Sequence, residues 1–223
     1  MTNTPPQNEP WASPEVVARF STSAPNEVLM RFEGSERESA AGNHLLDIGC
    51  GAGSNAVPLA QASWNVRGLD LSLPMLEAAR LRATEAGLEK RLQFEQAPMD
   101  QLPVDDQSMD FIVAHGIWNL ARSANEFRSA LREAARVARP GAALFVYTFS
   151  RSTFAPEITP VQGEAFVYTE FSGRPQCFLT EQQLIEELDA AGFVQEPGIP
   201  ITEYPQPESG RKPAIYEGVF RRR

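Results

Sequence analysis

Apolar residues follow two alternating patterns from about residue 44 onward, short continuous runs and helical stripes. The stripes predict helices at 54–62, 74–86, 123–138 and 180–191. The runs predict strands at HLLDI, NVRGLDL, RLQFEQ, MDFIVAH, AALFVYTF and AIYEGVF. Regular alternation of strands and helices predicts an α/β fold, in which helices cover both faces of a mostly parallel sheet.

The first forty residues precede this alternation and have a different pattern. Residues 1–12 are polar and rich in proline, and we expect them to be loose. SPEVVARF predicts a helix with Ser13 as its N-cap and Pro14 in its first turn, and a second short helix is predicted from about Asn26 to Glu33. We expect residues 1–40 to form a cap or lid on a domain that spans 41–223.

Residues 150–178 interrupt the alternation with many aromatic residues and no helical period. EAFVYTEF alternates like a strand and SGRP resembles a hairpin turn. The segment follows a sheet strand, so it is placed at the carboxyl edge, where open α/β sheets bind ligands. Arg151, Tyr168 and Glu170 are candidates for orienting a substrate there. Alternatively, the aromatic residues build only the core of the hairpin itself.

Composition and charge argue against several classes of protein, partner and site. The chain has 223 residues, 42% of them hydrophobic, and a formal net charge of -9, which disfavours nucleic acid and anionic membranes as partners. Its two cysteines and two histidines form no cluster, so no metal site is expected and a reducing compartment fits. The N-terminus lacks the pattern of a signal peptide, and no apolar run is long enough to span a bilayer. These features predict a soluble cytoplasmic protein.

The most informative stretch is LLDIGCGAG, where three glycines follow a strand that carries Asp47. A dinucleotide fingerprint requires a glycine at position 54, which is Ser54 here. A carboxylate at the strand tip repels phosphate and attracts an ammonium group. S-adenosylmethionine carries an ammonium and a sulfonium and no phosphate, so the pattern favours it over a nicotinamide cofactor.

The next strand ends in Asp70, 23 residues after Asp47. A carboxylate in this position can accept hydrogen bonds from both ribose hydroxyls of a nucleoside. Enzymes of both cofactor classes use this device, so Asp70 alone does not discriminate between them. The alternative is that Asp70 only pairs with the N-terminus of the next helix.

These motifs together resemble the class I S-adenosylmethionine-dependent methyltransferases over roughly residues 40–195. The matching segments are LLDIGCGAG, VRGLDLS, APMDQLPVDDQSMDFIVAHGIWN, LREAARVARPGAALFVYTF and FLTEQQLIEELDAAGF. The resemblance implies a Rossmann-like, seven-stranded sheet with S-adenosyl-L-methionine as cofactor. It also implies methyl transfer by in-line displacement to an acceptor, for which a small molecule is the leading hypothesis.

The resemblance assigns the cofactor residues one at a time. Asp47 and the loop residues Gly49, Cys50, Gly51 and Gly53 hold the methionine part, with Cys50 interpreted as a packing residue rather than a nucleophile. Asp70 binds the ribose, and Leu71 packs on the adenine. Met99 supplies a backbone contact and an apolar wall. Pro98 stands where the family usually has an acid, and Asp100 either replaces that acid or is simply solvated.

The acceptor residues are less specific. His115 ends the fourth strand near the transferred methyl, either as a general base or substrate ligand or as a cofactor backbone contact with a bystander ring. Trp118 forms either a pocket wall or core. Trp11, with Phe20, covers the acceptor from the N-terminal side. Asp110, which opens the fourth strand, is interpreted as structural.

Other functions remain in competition at this stage. The chain could be a non-catalytic S-adenosylmethionine-binding module that serves as a sensor or partner subunit, or a nicotinamide-dependent reductase. A macromolecular methyltransferase acting on a basic protein is a further alternative. A monomer and a homodimer are equally consistent with the sequence.

Overall fold

The computed structural model describes residues 10–205, 207 and 212–223. Most of the N-terminal stretch expected to be loose, residues 1–9, lies outside this part. A large mixed sheet organises the described residues, and a small hairpin lies beside it. Within the described ranges, every helix is too short or too polar to cross a bilayer.

The main sheet has the order β3-β2-β1-β4-β5-β10-β8, and β9 pairs with β10 as well. Strands β1 to β5 run parallel, whereas β10 is antiparallel to its neighbours. Helices lie on both faces, so the predicted Rossmann-like architecture is confirmed. The strands are β1 His44–Ile48, β2 Asn65–Asp70, β3 Leu92–Gln96, β4 Met109–His115, β5 Ala138–Phe149, β6 Val167–Tyr168, β7 Gln176–Cys177, β8 Phe193–Gln195, β9 Thr202–Tyr204 and β10 Ile215–Arg222.

Eight strands fill the seven positions that were expected in this sheet. Strand β8 pairs with residues 220–222 of β10, and β9 pairs with residues 215–217. The two short strands therefore share the last position, one at each end of β10.

Side-chain caps set the starts of most helices. In α1, α2, α4, α5 and α6 the N-cap side chain accepts a hydrogen bond from a backbone N–H three residues further on. The predicted Ser13 cap of α1 is one of these. The helices are α1 Pro14–Ser21, α2 Glu27–Ser39, α3 Ala56–Gln61, α4 Leu73–Glu85, α5 Ala124–Val137 and α6 Glu181–Ala190.

Helix α2 continues to Ser39 instead of ending near Glu33 as predicted. Two buried glutamates hold it against the body of the protein. Glu33 accepts a hydrogen bond of 2.9 Å from the Trp64 indole N–H, and Glu36 pairs with Arg221 at 2.8 Å. These tertiary contacts outweigh the weak helix propensity of Gly34.

The core has two layers because neighbouring strand residues point to opposite faces. One layer lies between the sheet and helices α2 and α3, and includes Leu29, Leu59 and Phe145. The other lies under α5 and α6, and includes Phe127, Leu184 and Leu144. The carboxyl ends of β1, β2, β4 and β5 meet at one edge of the sheet, and β10 starts at that edge.

The segment 150–178 forms the β6–β7 hairpin with an aromatic cluster of its own. Five rings contact one another: Phe149, Phe154, Tyr168, Phe171 and Phe178. Phe178 is fully buried, and Tyr168 is nearly so. The rings therefore pack on one another as the alternative of a local core requires, and Phe154 also lines a cleft at the sheet edge.

Candidate functional site

The glycine loop after β1 is held in a conformation that only glycine adopts easily. Gly49, Gly51 and Gly53 have φ values of 72°, 52° and 77°. The backbone N–H groups of Gly49 and Cys50 donate to the carbonyl oxygen of Leu69 at 2.7 and 2.9 Å. A Cβ on Gly49 would lie 2.7 Å from the side chain of Ile117. The loop therefore presents bare backbone at the sheet edge.

Two acids flank this loop in an environment that disfavours their charge. Asp47 is 1% exposed, and within the described part of the chain its Oδ2 has no hydrogen-bond partner. The pKa of Asp47 is raised from 3.8 to about 7, mainly by burial and to a smaller extent by the charge of the nearby Asp70. Such a site favours a ligand that brings positive charge to Asp47.

Asp70 is fixed by two backbone donors. Its Oδ2 accepts the N–H of Gly51 at 2.9 Å, and its Oδ1 accepts the N–H of Ser72 at 2.8 Å. Burial raises the pKa of this carboxyl despite these hydrogen bonds. Each oxygen keeps a second lone pair, so the carboxylate can still accept the two hydroxyls of a ribose.

Residues that would meet a nucleoside lie beside Asp70. Leu71 leaves 57% of its surface exposed, which provides an apolar face for a ring. Met99 is partly buried and packs against the core under α5, and Asp100 is also partly buried. Cys50 is buried, and burial raises the pKa of its thiol, which fits a packing residue and not a nucleophile.

The residues of the glycine loop and β2 fit S-adenosylmethionine better than a phosphate-bearing cofactor. The unpartnered acid Asp47 complements an ammonium or sulfonium group, and the glycines allow close approach of the methionine part. The hydroxyl of Ser54 donates to the carbonyl oxygen of Phe20 at 3.0 Å, so it is engaged in holding the N-terminal segment.

His115 lies at the end of β4 within a polar cluster. Its ring stacks on Tyr147 with centroids 4.2 Å apart, and its Nε2 lies 3.3 Å from the Asn26 side-chain nitrogen. The same nitrogen of Asn26 donates to Oε1 of Glu217. Burial lowers the pKa of His115 from 6.5 to about 4, so the ring is neutral at physiological pH.

The N-terminal segment covers the glycine loop through a few polar contacts. Besides the Ser54 contact, the hydroxyl of Ser72 donates to the carbonyl oxygen of Trp11 at 3.1 Å, and the N–H of Asn26 donates to Asn55 at 2.9 Å. Trp11 packs edge-on against Phe20. The contact with Ser72 places Trp11 beside Asp70, on the nucleoside side.

Other predicted substrate residues make structural contacts. Trp118 is 1% exposed and packs against Phe127, which corresponds to the core alternative. The Arg151 guanidinium donates to four carbonyl oxygens of residues 154–158 and lies over the Tyr168 ring. Glu170 is exposed and accepts the N–H of Thr169. The structure does not bring these residues to His115 as one group.

Asp110, interpreted as structural, ties β4 to the residues around it. Its Oδ1 accepts from Arg139 at 2.5 Å, and its Oδ2 accepts the N–H of His44 at 3.0 Å. Asp110 opens β4 and therefore lies at the sheet edge opposite the glycine loop.

A cleft of about 430 Å³ opens at the same sheet edge as the glycine loop, beside β9 and β10. The carboxylate of Glu203 stands in it and accepts from the hydroxyls of Ser150 and Ser152. The lining residues are Arg151, Ser152, Phe154, Pro156, Thr180, Glu203 and Tyr216.

Buried polar atoms without hydrogen-bond partners are a second observation that points to a ligand site at this edge of the sheet. In the described ranges, five buried side-chain atoms lack a hydrogen-bond partner: Asp47 Oδ2, Trp118 Nε1, Asn119 Oδ1, Thr148 Oγ1 and Glu217 Oε2. All five lie at the carboxyl ends of β1, β4 and β5 or at the start of β10. Native proteins leave few such groups unpaired, so their concentration at one edge indicates a ligand site.

Sequence reasoning missed Asn26 and Glu217 as members of this site. Asn26 was expected only at the start of a helix. The one signal for Glu217 was an acid within the apolar run AIYEGVF, which lies far from every recognised motif.

Known proteins are similar to this chain over the part of the sheet that carries the glycine loop. The family model described as a methyltransferase domain matches residues 46–146. The chain is similar to the 27-O-demethylrifamycin SV methyltransferase of Amycolatopsis mediterranei, 29% identical over 180 residues. It is also similar to the demethylmenaquinone methyltransferase of Lactiplantibacillus plantarum, 31% identical over 173 residues.

The coverage of these relatives differs. The match spans 80% of this chain and 64% of the Amycolatopsis protein, and 69% of this chain and 71% of the Lactiplantibacillus protein. With the demethylmenaquinone methyltransferase of Renibacterium salmoninarum, 34% identical, it spans 58% of this chain and 48% of the relative.

The fold also matches solved structures. A SAM-dependent methyltransferase from Methanosarcina mazei superposes with a TM-score of 0.67 at 19% identity, over 90% of this chain and 99% of that protein. At this identity the match establishes the fold alone.

Proposed function

Because the chain belongs to the class I S-adenosylmethionine-dependent methyltransferases, we propose that it is an enzyme that binds S-adenosyl-L-methionine and methylates a small-molecule acceptor. The observation that carries this proposal is Asp47, a buried acid with an unpartnered oxygen beside a glycine loop. A cationic cofactor relieves the free energy of burying that charge, whereas a pyrophosphate would increase it.

The residues of this chain bind and orient the cofactor and the acceptor. The methyl transfer itself requires little further chemistry from them. The cofactor supplies a methyl group that its sulfonium already activates. Asp47 attracts the positively charged end, and Asp70 fixes the ribose. The N-terminal segment covers the glycine loop and excludes water. The N-terminal segment therefore contributes to catalysis, because in-line displacement requires the reacting groups to be held in position and shielded from water.

A small acceptor is supported by charge and by the relatives. The net charge of -9 opposes binding to nucleic acid. The relatives from Amycolatopsis and Lactiplantibacillus are named after small molecules, 27-O-demethylrifamycin SV and demethylmenaquinone. We propose that the acceptor enters at the carboxyl edge between the N-terminal segment and the 150–178 segment, and that the protein works in the cytoplasm as a monomer or homodimer.

The test combines cofactor binding with turnover. We expect S-adenosylmethionine to bind the wild-type protein and Asp70→Ala to weaken that binding strongly, with the fold intact by circular dichroism. Asp106→Ala removes an exposed acid far from the loop and serves as the control. Acceptor-dependent formation of S-adenosylhomocysteine would exclude the alternative of a non-catalytic binding module. Normal binding by Asp70→Ala would refute the proposed ribose site.

A further inference from the structure

A buried glutamate that the motifs do not include stands beside His115. Glu217 is 5% exposed and lies on β10 directly opposite Tyr147, which in turn lies opposite His115 on β4. Paired residues of neighbouring strands point to the same face. Glu217, Tyr147 and His115 therefore form a row across three strands, on the face of the sheet that also carries Asp47.

Asn26 fixes the hydrogen bonding of this row. Its Oδ1 accepts the N–H of Leu29 as the cap of α2, at 2.8 Å. The other end of the amide is therefore the NH₂ group, which donates one hydrogen to His115 Nε2 and the other to Glu217 Oε1.

This arrangement determines which residue is free to take a proton. Because Asn26 is a donor, Nε2 of His115 must be the unprotonated nitrogen, and its lone pair is already engaged. Glu217 Oε2, in contrast, is buried with no hydrogen bond of normal geometry from the described residues. The Tyr204 phenol also stands beside this carboxylate, because burial and then an interaction with Glu217 raise the pKa of Tyr204. The free proton acceptor of the row is therefore the carboxylate and not the imidazole.

We propose that Glu217, positioned by Asn26 and His115, is the general base that takes the proton from a hydroxyl-bearing acceptor. The inference rests on the proposed function. As the acceptor oxygen bonds to the methyl carbon, the carbon–sulfur bond breaks with its electron pair going to sulfur. The acceptor O–H bond breaks, and its proton goes to Glu217 Oε2. The products are the methyl ether, S-adenosylhomocysteine and a protonated Glu217.

Two features of Glu217 favour a hydroxyl. A buried oxygen that can only accept requires a donor from the ligand, which a thioether or tertiary amine does not bring. The pKa of the neighbouring Tyr147 phenol is raised, first by the burial of that phenol and second by the charge of Glu217. An acceptor phenol beside the same carboxylate is likewise kept protonated, so its proton must leave during methyl transfer.

The proposal requires a route for the acceptor to this row past the N-terminal segment. None of the eight residues of α1 is buried, and its polar attachment to the body of the protein includes the Ser54 contact. Asn26, which bonds both His115 and Glu217, follows α1 after a short loop. The route past α1 therefore leads to Asn26, the residue that bonds two members of the row.

The experiment uses Glu217→Gln, which keeps the shape and the hydrogen bond from Asn26 but cannot take a proton at neutral pH. The matched control is Glu33→Gln, another buried glutamate, whose hydrogen bond from Trp64 an amide oxygen can also accept. Wild type and variants are supplied with S-adenosylmethionine and a panel of phenols, aromatic amines, thiols and 1,3-diketones. The phenols run from 4-methoxyphenol to the more acidic 4-nitrophenol.

We expect the wild type and Glu33→Gln to methylate phenols, and Glu217→Gln to lose about 100-fold or more in kcat/KM. The loss should be largest for 4-methoxyphenol and smallest for 4-nitrophenol, because an acidic phenol depends less on a base. S-adenosylhomocysteine binding, measured by calorimetry, should stay unchanged. Asn26→Asp, which keeps the helix cap but removes both donated hydrogen bonds, should show the same dependence on phenol acidity.

A second readout needs no turnover. With S-adenosylhomocysteine bound, the phenolate absorbance band of 4-nitrophenol should appear at a higher pH in the wild type than in Glu217→Gln, because the carboxylate opposes a second negative charge. Equal rates or equal bands in wild type and Glu217→Gln would overturn the proposal, as would methylation of no member of the phenol series. Failure of the wild type to bind S-adenosylmethionine would instead overturn the proposed function.

Discussion

Replacing Asp47 with asparagine should stabilise the cofactor-free protein and weaken its binding of S-adenosylmethionine. The substitution keeps the shape of the side chain and removes a charge that is 1% exposed, with one oxygen unpartnered among the described residues. Stability and binding therefore change in opposite directions at one position, as expected where a site is strained for function.

The magnitude follows from the pKa of Asp47. Below pH 3.8 the carboxyl is protonated in the folded and unfolded chains, and it contributes no difference. Burial and Asp70 hold the folded pKa at about 7. Stability therefore falls as pH rises from 3.8 to 7 and stays reduced above it. Three pH units at about 1.4 kcal/mol each give an upper limit of ~4 kcal/mol. The buried amide of asparagine offsets part of this gain, which leaves about 2–4 kcal/mol.

Thermal unfolding of wild type and Asp47→Asn across pH 4 to 8 measures this difference. At pH 8 the variant should melt roughly 4–16 °C higher than the wild type, on the scale of about 2–4 °C per kcal/mol for a chain of this size. The two should converge near pH 4. A variant that is no more stable at pH 8, or a difference that does not change with pH, would refute the reasoning about Asp47.

Three further predictions concern residues around the site. Because the folded pKa of His115 is about 4, against 6.5 unfolded, His115→Asn should remove up to about 3 kcal/mol of acid destabilisation as pH falls from 6.5 to 4, measured by urea unfolding against wild type. Gly49→Ala should lose about 1–3 kcal/mol and its cofactor binding, since φ is 72° and the Cβ meets Ile117; a normal Tm and normal binding would contradict this. Asp110→Asn should lose about 1–3 kcal/mol in denaturant unfolding while cofactor affinity by calorimetry stays unchanged, because Asp110 bonds Arg139 and the N–H of His44 at the sheet edge opposite the glycine loop.

The sequence was sufficient for the parts of the fold that are determined locally. Strand β1, the glycine turn and Asp70 are adjacent in sequence, and each has a residue requirement that can be read directly. The cap Ser13 is likewise local. The mostly parallel sheet with helices on both faces followed from the regular alternation of elements and from the family resemblance.

Long-range contacts determine what the sequence did not reveal. Strands β8 and β9 have three residues each and depend on pairing with β10, so neither has a pattern of its own. Asn26 and Glu217 are 191 positions apart and meet only in the folded sheet. Aromatic spacing in 150–178 could not distinguish a local core from a pocket, because both bury the same faces.

The most direct test of the central claim is a calorimetric titration of the wild-type protein with S-adenosylmethionine, and with NADH in parallel. We predict that S-adenosylmethionine alone binds, with a dissociation constant on the order of micromolar. Binding of NADH alone, or of neither ligand, would contradict the interpretation of Asp47 as the acid that recognises a cationic cofactor.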